Sequence, residues 1–326
     1  MSKKNIAVVM GGYSSEVNIS ILSGNTVCKH LDASKYAVYP IHILKEGWFC
    51  KHADHKPIPV DKHDFSINVE GTKITFDCVF NSIHGTPGED GILQAYFNLL
   101  SIPQTACNYY EAALTFNKRD CISVLKAYGI KTATNYLLNT GDAINTSEIV
   151  EKVGLPCFVK ANKAGSSFGV SKVYEEEELE GAIVVSFKED DEIIIESFLE
   201  GTEVSVGVIN YRGKVMALPV TEIVSENDFF DYQAKYEGKS QEITPARISP
   251  EQTEAVQREA EKVFKLLKLK GLTRAEFIFH RGEPHFLEVN TTPGLSPASI
   301  IPQQAKVAGI NLSDLFDNVI QQAISK

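Results

Sequence analysis

Little in this chain ties it to a membrane, a disulfide scaffold or a nucleic acid. Its cysteines, Cys28, Cys50, Cys78, Cys107, Cys121 and Cys157, are scattered and form no C-x-x-C pair. A disulfide framework or a thiolate zinc site is therefore not expected, and the thiols read as buried and reduced. No apolar run reaches the roughly 20 residues of a membrane-spanning helix; the most apolar stretch, 92–102, is broken by Gln94 and Asn98. The N-terminus runs straight into the strand-like segment 6–10, without a long apolar core and a small-residue cleavage site. No secretory leader is expected, and the protein is expected in the cytoplasm. Basic residues number 32 against 42 acidic ones, a net charge of −10, so the basic stripe of a nucleic-acid surface is missing. A local group of lysines can still hold phosphate within an acidic protein. Internal repeats and low-complexity tracts are missing too.

What remains is an ordinary globular composition, 43% hydrophobic and 23% charged, over 326 residues, enough for two or three domains. The first hundred residues alternate in the α/β manner. A strand at 6–10 meets a tight Gly11-Gly12 turn; a helix over 20–31, strands at 36–43 and 76–83, and a helix from near Gly91 follow. His52, His55 and His63 stand near Asp54 and Asp61, but in a polar, Pro-containing stretch that reads as a solvated loop rather than a metal site. From about Ala106 the pattern predicts a helix at 117–128 ended by Gly129, then a strand–loop–strand unit, 156–160 and 169–173. The acidic run 175–178 opens a helix, where carboxylates suit the positive end of the dipole. A strand at 193–196, a hairpin of 203–210 with 214–218, a long polar loop at 225–241, an amphipathic helix at 250–267 and strands at 272–279 and 285–289 complete the pattern.

The most informative segment is the last pair of strands. Residues two apart in a strand point to one face. With a hairpin centred near Gly282, Glu276 falls opposite Glu288, and Arg274 opposite Asn290. Opposed carboxylates repel unless a cation lies between them. Two glutamates and an asparagine oxygen form a hard, oxygen-only set suited to magnesium bridging nucleotide phosphates. The glutamate pair alone reads equally as an exposed acidic hairpin. Phe277, Phe286, Leu287 and Val289 alternate against the polar set, which puts the polar side chains on a shared face and favours the metal.

Other segments are weaker by themselves. Lys160 precedes the small-residue loop Gly165-Ser166-Ser167-Phe168-Gly169, whose backbone N–H groups can approach phosphate; a merely flexible hairpin fits it equally. This is not the G-x-x-x-x-G-K-[ST] pattern, since the lysine comes first. Glu196, Leu199 and Glu203 place carboxylates and an apolar residue at a strand end, a pattern that could hold adenosine or simply be solvated. Glu16 follows the Gly11-Gly12 turn, and His84 opens the Gly/Pro-rich loop His84-Gly-Thr-Pro-Gly-Glu-Asp-Gly91; both lie past strand ends, where a doubly wound sheet has its crevice.

Taken in order, GGYSSE, HGTPGEDG, NKRD, FVKANKAGSSFGVSKV, IIIESFLEGTEVSV, DYQAKY, TRAEF and FLEVNTTPGLSPAS resemble the segments of the ATP-grasp superfamily, and closely those of the D-alanine–D-alanine ligases. The resemblance runs over about residues 6–314. It implies an α/β fold of three domains: an N-terminal Rossmann-like (pre-ATP-grasp) domain at 1–105 and ATP-grasp subdomains at 106–200 and 201–326. It implies that Lys118, Lys160 and Lys235 contact phosphates, that Glu196, Leu199 and Glu203 hold adenosine, and that Glu276, Glu288 and Asn290 bind two magnesium ions, with manganese a possible substitute. Glu16 would receive the ammonium of the first D-alanine in a network with Ser166 and Tyr236, and His84 would lie beside that subsite. Arg274, the Gly294 N–H, Ser299 and Ile300 would frame the second subsite and the oxyanion.

The implied reaction joins two D-alanines through a D-alanyl phosphate made from ATP, for cell-wall precursor synthesis, under a lid at 225–241 carrying Lys235 and Tyr236. The implied partners are ATP and D-alanine, with no nucleic acid or membrane, in a homodimer. One position departs from the pattern: Glu276 stands where aspartate is more usual. Two alternatives stay open, a ligase that makes the D-alanyl–D-lactate ester and a nucleotide-binding regulator without turnover. Tyr236 favours the dipeptide over the ester. The joint presence of Glu16, Ser166, Lys235, Tyr236 and Arg274 argues against the regulator.

Overall fold

The computed structural model describes residues 3–51, 56–165, 168–225 and 240–325. β1 (Lys4–Gly11) carries an unbroken apolar run, and every residue from Ile6 to Met10 is fully buried. Such a run belongs to a parallel strand covered on both faces. After β1 come α1 (Val17–His30), β2 (Tyr36–Leu44), β3 (Gly47–Cys50), β4 (Ile58–Asp61), β5 (Ser66–Val69), β6 (Thr72–Ile74), β7 (Cys78–Asn81) and α2 (Ile92–Leu99). β2 and β7 flank β1 in parallel, and β3 to β6 extend the sheet by antiparallel pairing. Along β1, Ala7 and Val9 face a core with Phe65, Leu93 and Phe97, whereas Ile6, Val8 and Met10 face α1. Gly24 permits that contact, since a Cβ there would stand 2.8 Å from Met10 Cβ.

The chain continues through α3 (Tyr109–Phe116), α4 (Lys118–Ala127), β8 (Asn135–Asn139), α5 (Thr146–Val153), β9 (Cys157–Ala161) and β10 (Val170–Val173). A 3₁₀ turn at Glu176–Glu178, α6 (Leu179–Ser186) and β11 (Glu192–Ser197) follow. β8 to β11 form an antiparallel sheet in the order β10-β9-β11-β8, with α5 and α6 packed on it through Ile149, Val153, Leu179 and Ile183. The acidic run does open a helix: Glu175 and Glu178 form a reciprocal capping box.

The third sheet holds β12 (Gly201–Tyr211), β13 (Lys214–Ala217), β14 (Thr221–Ser225) and β15 (Ser240–Ile243). After α7 (Pro250–Leu266) it is completed by β16 (Leu272–His280) and β17 (Glu283–Asn290); α8 (Ile300–Val307) and α9 (Leu312–Ile324) end the chain. The strand order is β15-β14-β12-β16-β17, with β13 paired to β12. Ser249 forms a capping box with Gln252 in the first turn of α7, and Pro250 starts that helix at the position where a missing N–H costs nothing. α7, α3 and α4 cover one face of this sheet through Val256, Val263, Phe264, Ile122 and Leu125. α9 instead reaches the N-terminal sheet, where Leu315, Phe316 and Val319 pack with Ile6, Val8 and Phe80. Burying a side chain of that kind stabilises by about 1.5–3 kcal/mol, so α9 is a substantial tie between the two units.

The expected 272–279 and 285–289 strands pair in the expected register, Arg274 with Asn290 and Glu276 with Glu288. Several elements differ from the sequence pattern. α1 starts at Val17, earlier than expected, with Glu16 at its N-cap position. The stretch 50–64 is not all loop: β4 pairs with β3 and β5 inside it. His52 and His55 lie outside the described residues, and the His63 N–H caps Asp61 at 2.9 Å. Ser225 and Gln241 end and enter paired strands, while 226–239 lie outside the described residues. The cysteines are all free, and only Cys28 is less than buried. Among the described residues no helix is long and apolar enough to cross a membrane.

Candidate active site

Alternation along the third sheet puts one face of Glu203, Glu276, Glu288, Arg274 and Asn290 together, because β12, β16 and β17 pair in register with Ser205 opposite Glu276. Arg274 Nε donates to Glu276 Oε1 at 2.7 Å. Burial opposes the arginine's charge, but Glu276, Glu242 and Glu288 outweigh it, so its pKa is raised above the ordinary value. A β-bulge after Glu276 shifts the ladder, so that Phe277 pairs with Phe286 inside the core.

Lys118 meets this face from α4. Asn117 caps that helix by accepting the Asp120 N–H at 3.0 Å, and buried Asn162 donates to Asn117 Oδ1 at 2.9 Å. Lys118 Nζ then donates to the Ala164 carbonyl at 2.7 Å and stands 3.8 Å from Glu288 Oε2. Lys160, on β9, donates to Glu196 Oε2 at 2.8 Å. Burial again opposes the charge, and Glu196, Glu288 and Glu203 raise the lysine's pKa over it. Leu199 is buried just beyond Glu196.

The N-terminal unit supplies the opposite wall. Glu16 Oε2 lies against Gly165, where a Cβ would stand 3.1 Å away. His84 Nδ1 lies 2.6 Å from the Thr292 carbonyl, an acceptor, so Nδ1 carries the proton. Ser23 Oγ accepts the Leu295 N–H at 3.0 Å and lies 3.2 Å from His84 Nε2, to which its own hydrogen must turn. Burial, with Arg274 nearby, lowers the His84 pKa and keeps the ring neutral, against the pull of Glu16 and the Thr292 carbonyl. Glu89 accepts the Gly85 N–H at 3.1 Å and the Thr291 and Thr292 N–H groups at 3.2 and 3.3 Å. Burial and Glu16 push its carboxyl up to about 7, against those three hydrogen bonds. Ser23, His84 and Glu89 thus hold the turn 291–295, which carries Gly294, onto the N-terminal unit.

Two adjoining cavities lie between these walls. One, of about 100 Å³, is lined by Glu16, Lys118, Gly165, Arg274, Glu288 and Asn290. The other, of about 300 Å³, is lined by Glu16, His84, Glu242, Arg274, Gly294 and Ser299, with Ile300 beside them. Ser299 is the N-cap of α8, and its Oγ lies 2.8 Å from Ser296 Oγ. The structure therefore brings Glu16, His84, Lys118, Arg274, Glu288, Asn290, Gly294, Ser299 and Ile300 to one crevice, with Glu276 on Arg274. Lys160, Glu196, Leu199 and Glu203 form an adjoining group rather than lining these cavities. Ser166, Lys235 and Tyr236 lie outside the described residues.

Among the described residues no group of three His, Cys, Asp or Glu side chains could hold a metal alone. The candidate metal set fits this: two carboxylates and one amide leave the remaining positions to phosphate oxygens and water, as magnesium prefers. Among the described residues, the buried Asn290 Nδ2 has no hydrogen-bond partner.

The sequence pattern missed Ser23, Glu89 and Glu242. Glu89 lay in plain view within the His84 loop. Ser23 and Glu242 carry no local signal, one being a polar residue inside a helix and the other one of many acids flanking a polar loop.

Two family models match, D-ala D-ala ligase N-terminus over residues 5–107 and D-ala D-ala ligase C-terminus over 124–321. This chain belongs to the D-alanine–D-alanine ligase family. A D-alanine–D-alanine ligase of Flavobacterium johnsoniae is 64% identical over 322 residues, covering 99% of this chain and 100% of that protein. The crystal structure of D-alanyl-alanine synthetase A from Vibrio cholerae matches with a TM-score of 0.89 at 28% identity, over 100% of both chains. That of the D-alanine–D-alanine ligase from Bacillus anthracis complexed with ATP matches at 0.78 and 28%, over 99% of this chain and 97% of that one. The fold is accordingly the ATP-grasp arrangement of the family, with its N-terminal α/β domain, and the crevice described above lies where the family's N-terminal segment meets its C-terminal one.

Proposed function

We propose that the protein joins two D-alanines to D-alanyl-D-alanine at the expense of ATP, through a D-alanyl phosphate, in the making of cell-wall precursors. One observation carries this reading: Glu276, Glu288, Asn290 and Arg274 share a sheet face that opens on a crevice whose other wall holds Glu16. A carboxylate is a poor acyl donor, so the first D-alanine must take the γ-phosphoryl group of ATP before an amine can attack it. Glu276, Glu288 and Asn290 would hold two magnesium ions, or manganese in their place, which neutralise charge on the transferring phosphoryl group.

In this reading Lys118, Lys160 and Lys235 contact the phosphates, and Glu196, Leu199 and Glu203 hold adenosine. Glu16 takes the ammonium of the first D-alanine, with Ser166 and Tyr236 in its network and His84 beside it. His84 acts as a neutral brace, since both ring nitrogens are engaged by Ser23 and Thr292. Arg274 and the Gly294 N–H stabilise the oxyanion formed when the second amine attacks; one such donor is typically worth about 3 kcal/mol. Ser299 and Ile300 frame the second subsite. The acyl phosphate hydrolyses in water, which requires a cover, and 225–241 with Lys235 and Tyr236 is the candidate.

The proposal extends to three domains at 1–105, 106–200 and 201–326, supported, among the described residues, by three sheets spanning 4–81, 135–197 and 201–290. α3 and α4 pack on the third sheet, so the middle domain is anchored on its C-terminal neighbour. A homodimer and a cytoplasmic location follow the family's pattern. The test is product identification after incubation with ATP, magnesium and D-alanine, D-lactate or both. Phosphate release that depends on D-alanine, with dipeptide as product, supports the reading. Release without amino acid, or no release, sinks it; ester alone replaces the dipeptide ligase by the depsipeptide one.

A further inference from the structure

The larger cavity holds three carboxylates, Glu16, Glu89 and Glu242, against one arginine, Arg274. Two zwitterionic amino acids bring two ammonium groups into it, and the ligase reading, on which this inference rests, assigns only one of them, to Glu16. Glu89 is committed to three backbone N–H groups. Glu242 is the carboxylate that remains. It sits on β15 opposite Ile223, which in turn pairs with Glu203 on β12, so it belongs to the same sheet face as Arg274 and Glu276.

Its position is set from the acceptor end of the cavity. Gln303 Nε2 donates to Glu242 Oε2 at 3.2 Å and to the Ala298 carbonyl at 2.7 Å. Gln303 belongs to α8, the helix that begins with Ser299 as N-cap and Ile300 as first residue. Among the described residues, this single hydrogen bond is the one that reaches the Glu242 carboxylate. Glu16 lies on the far wall, against Gly165 of the central domain. The cavity is thus lined by Glu16 from the N-terminal unit and by Glu242 and Arg274 from the third sheet.

We propose that Glu242 is the acceptor-side counterpart of Glu16: it receives the ammonium of the second amino acid and thereby selects amine acceptors over hydroxy acids. A hydroxy acid has no cation to offer a carboxylate in a partly buried crevice, so it loses this contact and leaves the charge unmatched.

Glu242→Gln keeps the size and the Gln303 contact and removes the charge. Charge-assisted hydrogen bonds are about twice as strong as neutral ones, so the KM for the second D-alanine should rise about tenfold. In competition between D-alanine and D-lactate the ratio of ester to dipeptide should rise by a similar factor. The KM for ATP and the thermal midpoint should not move. Glu242→Asp, which keeps the charge, should recover most of the amine preference. An unchanged acceptor KM and product ratio in Glu242→Gln overturns the proposal, as does a loss confined to thermal stability. A wild-type protein without D-alanine-dependent phosphate release overturns the ligase reading and this inference with it, so the two failures are told apart.

Discussion

The β16–β17 hairpin and the 291–295 turn are adjacent in the chain, yet they are organised by opposite means. The hairpin places Arg274, Glu276, Glu288 and Asn290 by strand alternation and a local ladder. The turn has no ladder; Glu89, His84 and Ser23, more than two hundred residues away in sequence, receive or supply its hydrogen bonds. A site built on a hairpin keeps its geometry while the hairpin folds. A site built on a turn held from another domain keeps it only while the two domains stay together. Under the proposed reading, the charged phosphates meet the self-contained hairpin, while the Gly294 N–H is presented by the turn at the seam.

The comparison breaks most visibly at the hairpin's own chemistry. Glu288→Gln should lower turnover on the order of 10³-fold, from the several kcal/mol a bound metal contributes, with the fold intact. Near-normal turnover at limiting magnesium would remove the metal assignment.

At the seam the sharper readout is pH. The Glu89 carboxyl is raised from 4.5 to about 7 in the folded protein, so the folded state holds this proton more tightly than the unfolded chain. The stabilisation is fully present below the unfolded pKa and is lost as pH rises through about 7. The melting temperature should therefore fall between those values in the wild type, and Glu89→Gln should flatten the slope. Equal slopes in both proteins, followed by calorimetry, would show that Glu89 is ionised in the fold throughout.

Ser23→Ala leaves the buried Leu295 N–H and His84 Nε2 without their partner, at a cost of about 1–3 kcal/mol in stability. Hydrogen exchange should quicken at the Leu295 amide while the β16–β17 amides stay protected. Uniform quickening across both regions would mean that the turn and the hairpin open as one unit.

Glu276→Asp should be the mildest change, with turnover within about threefold of the wild type. Both carboxylates ligate magnesium, and a bulge lies beside the position. Abolished activity in a folded Glu276→Asp protein would mean that the longer side chain is built into the geometry, including its 2.7 Å bond to Arg274.

These two regions also differ in how far they could be read from the sequence. The Glu276–Glu288 and Arg274–Asn290 pairings followed from two-residue alternation and a glycine at the turn, both local. β1 and α7 were legible for the same reason, an unbroken apolar run in one and a 3.6-residue stripe behind Ser249-Pro250 in the other. The strands β3 to β6 were not, because they are short, partly polar and stabilised by their neighbours in the sheet rather than by their own pattern.

By itself, then, the order of residues determined which face of the last hairpin is polar, where the glycine-bearing turns after strands fall, and, through eight segments in one order, the family. The tertiary structure alone decided that Glu89, Ser23 and Glu242 belong to the site, that His84 is a neutral brace between two partners, and that α9 closes on the first sheet. Alternation and turn chemistry act between residues a few positions apart, so they are written in the local sequence. A hydrogen bond between Ser23 and Leu295 depends on where two domains come to rest, and no local pattern carries that information.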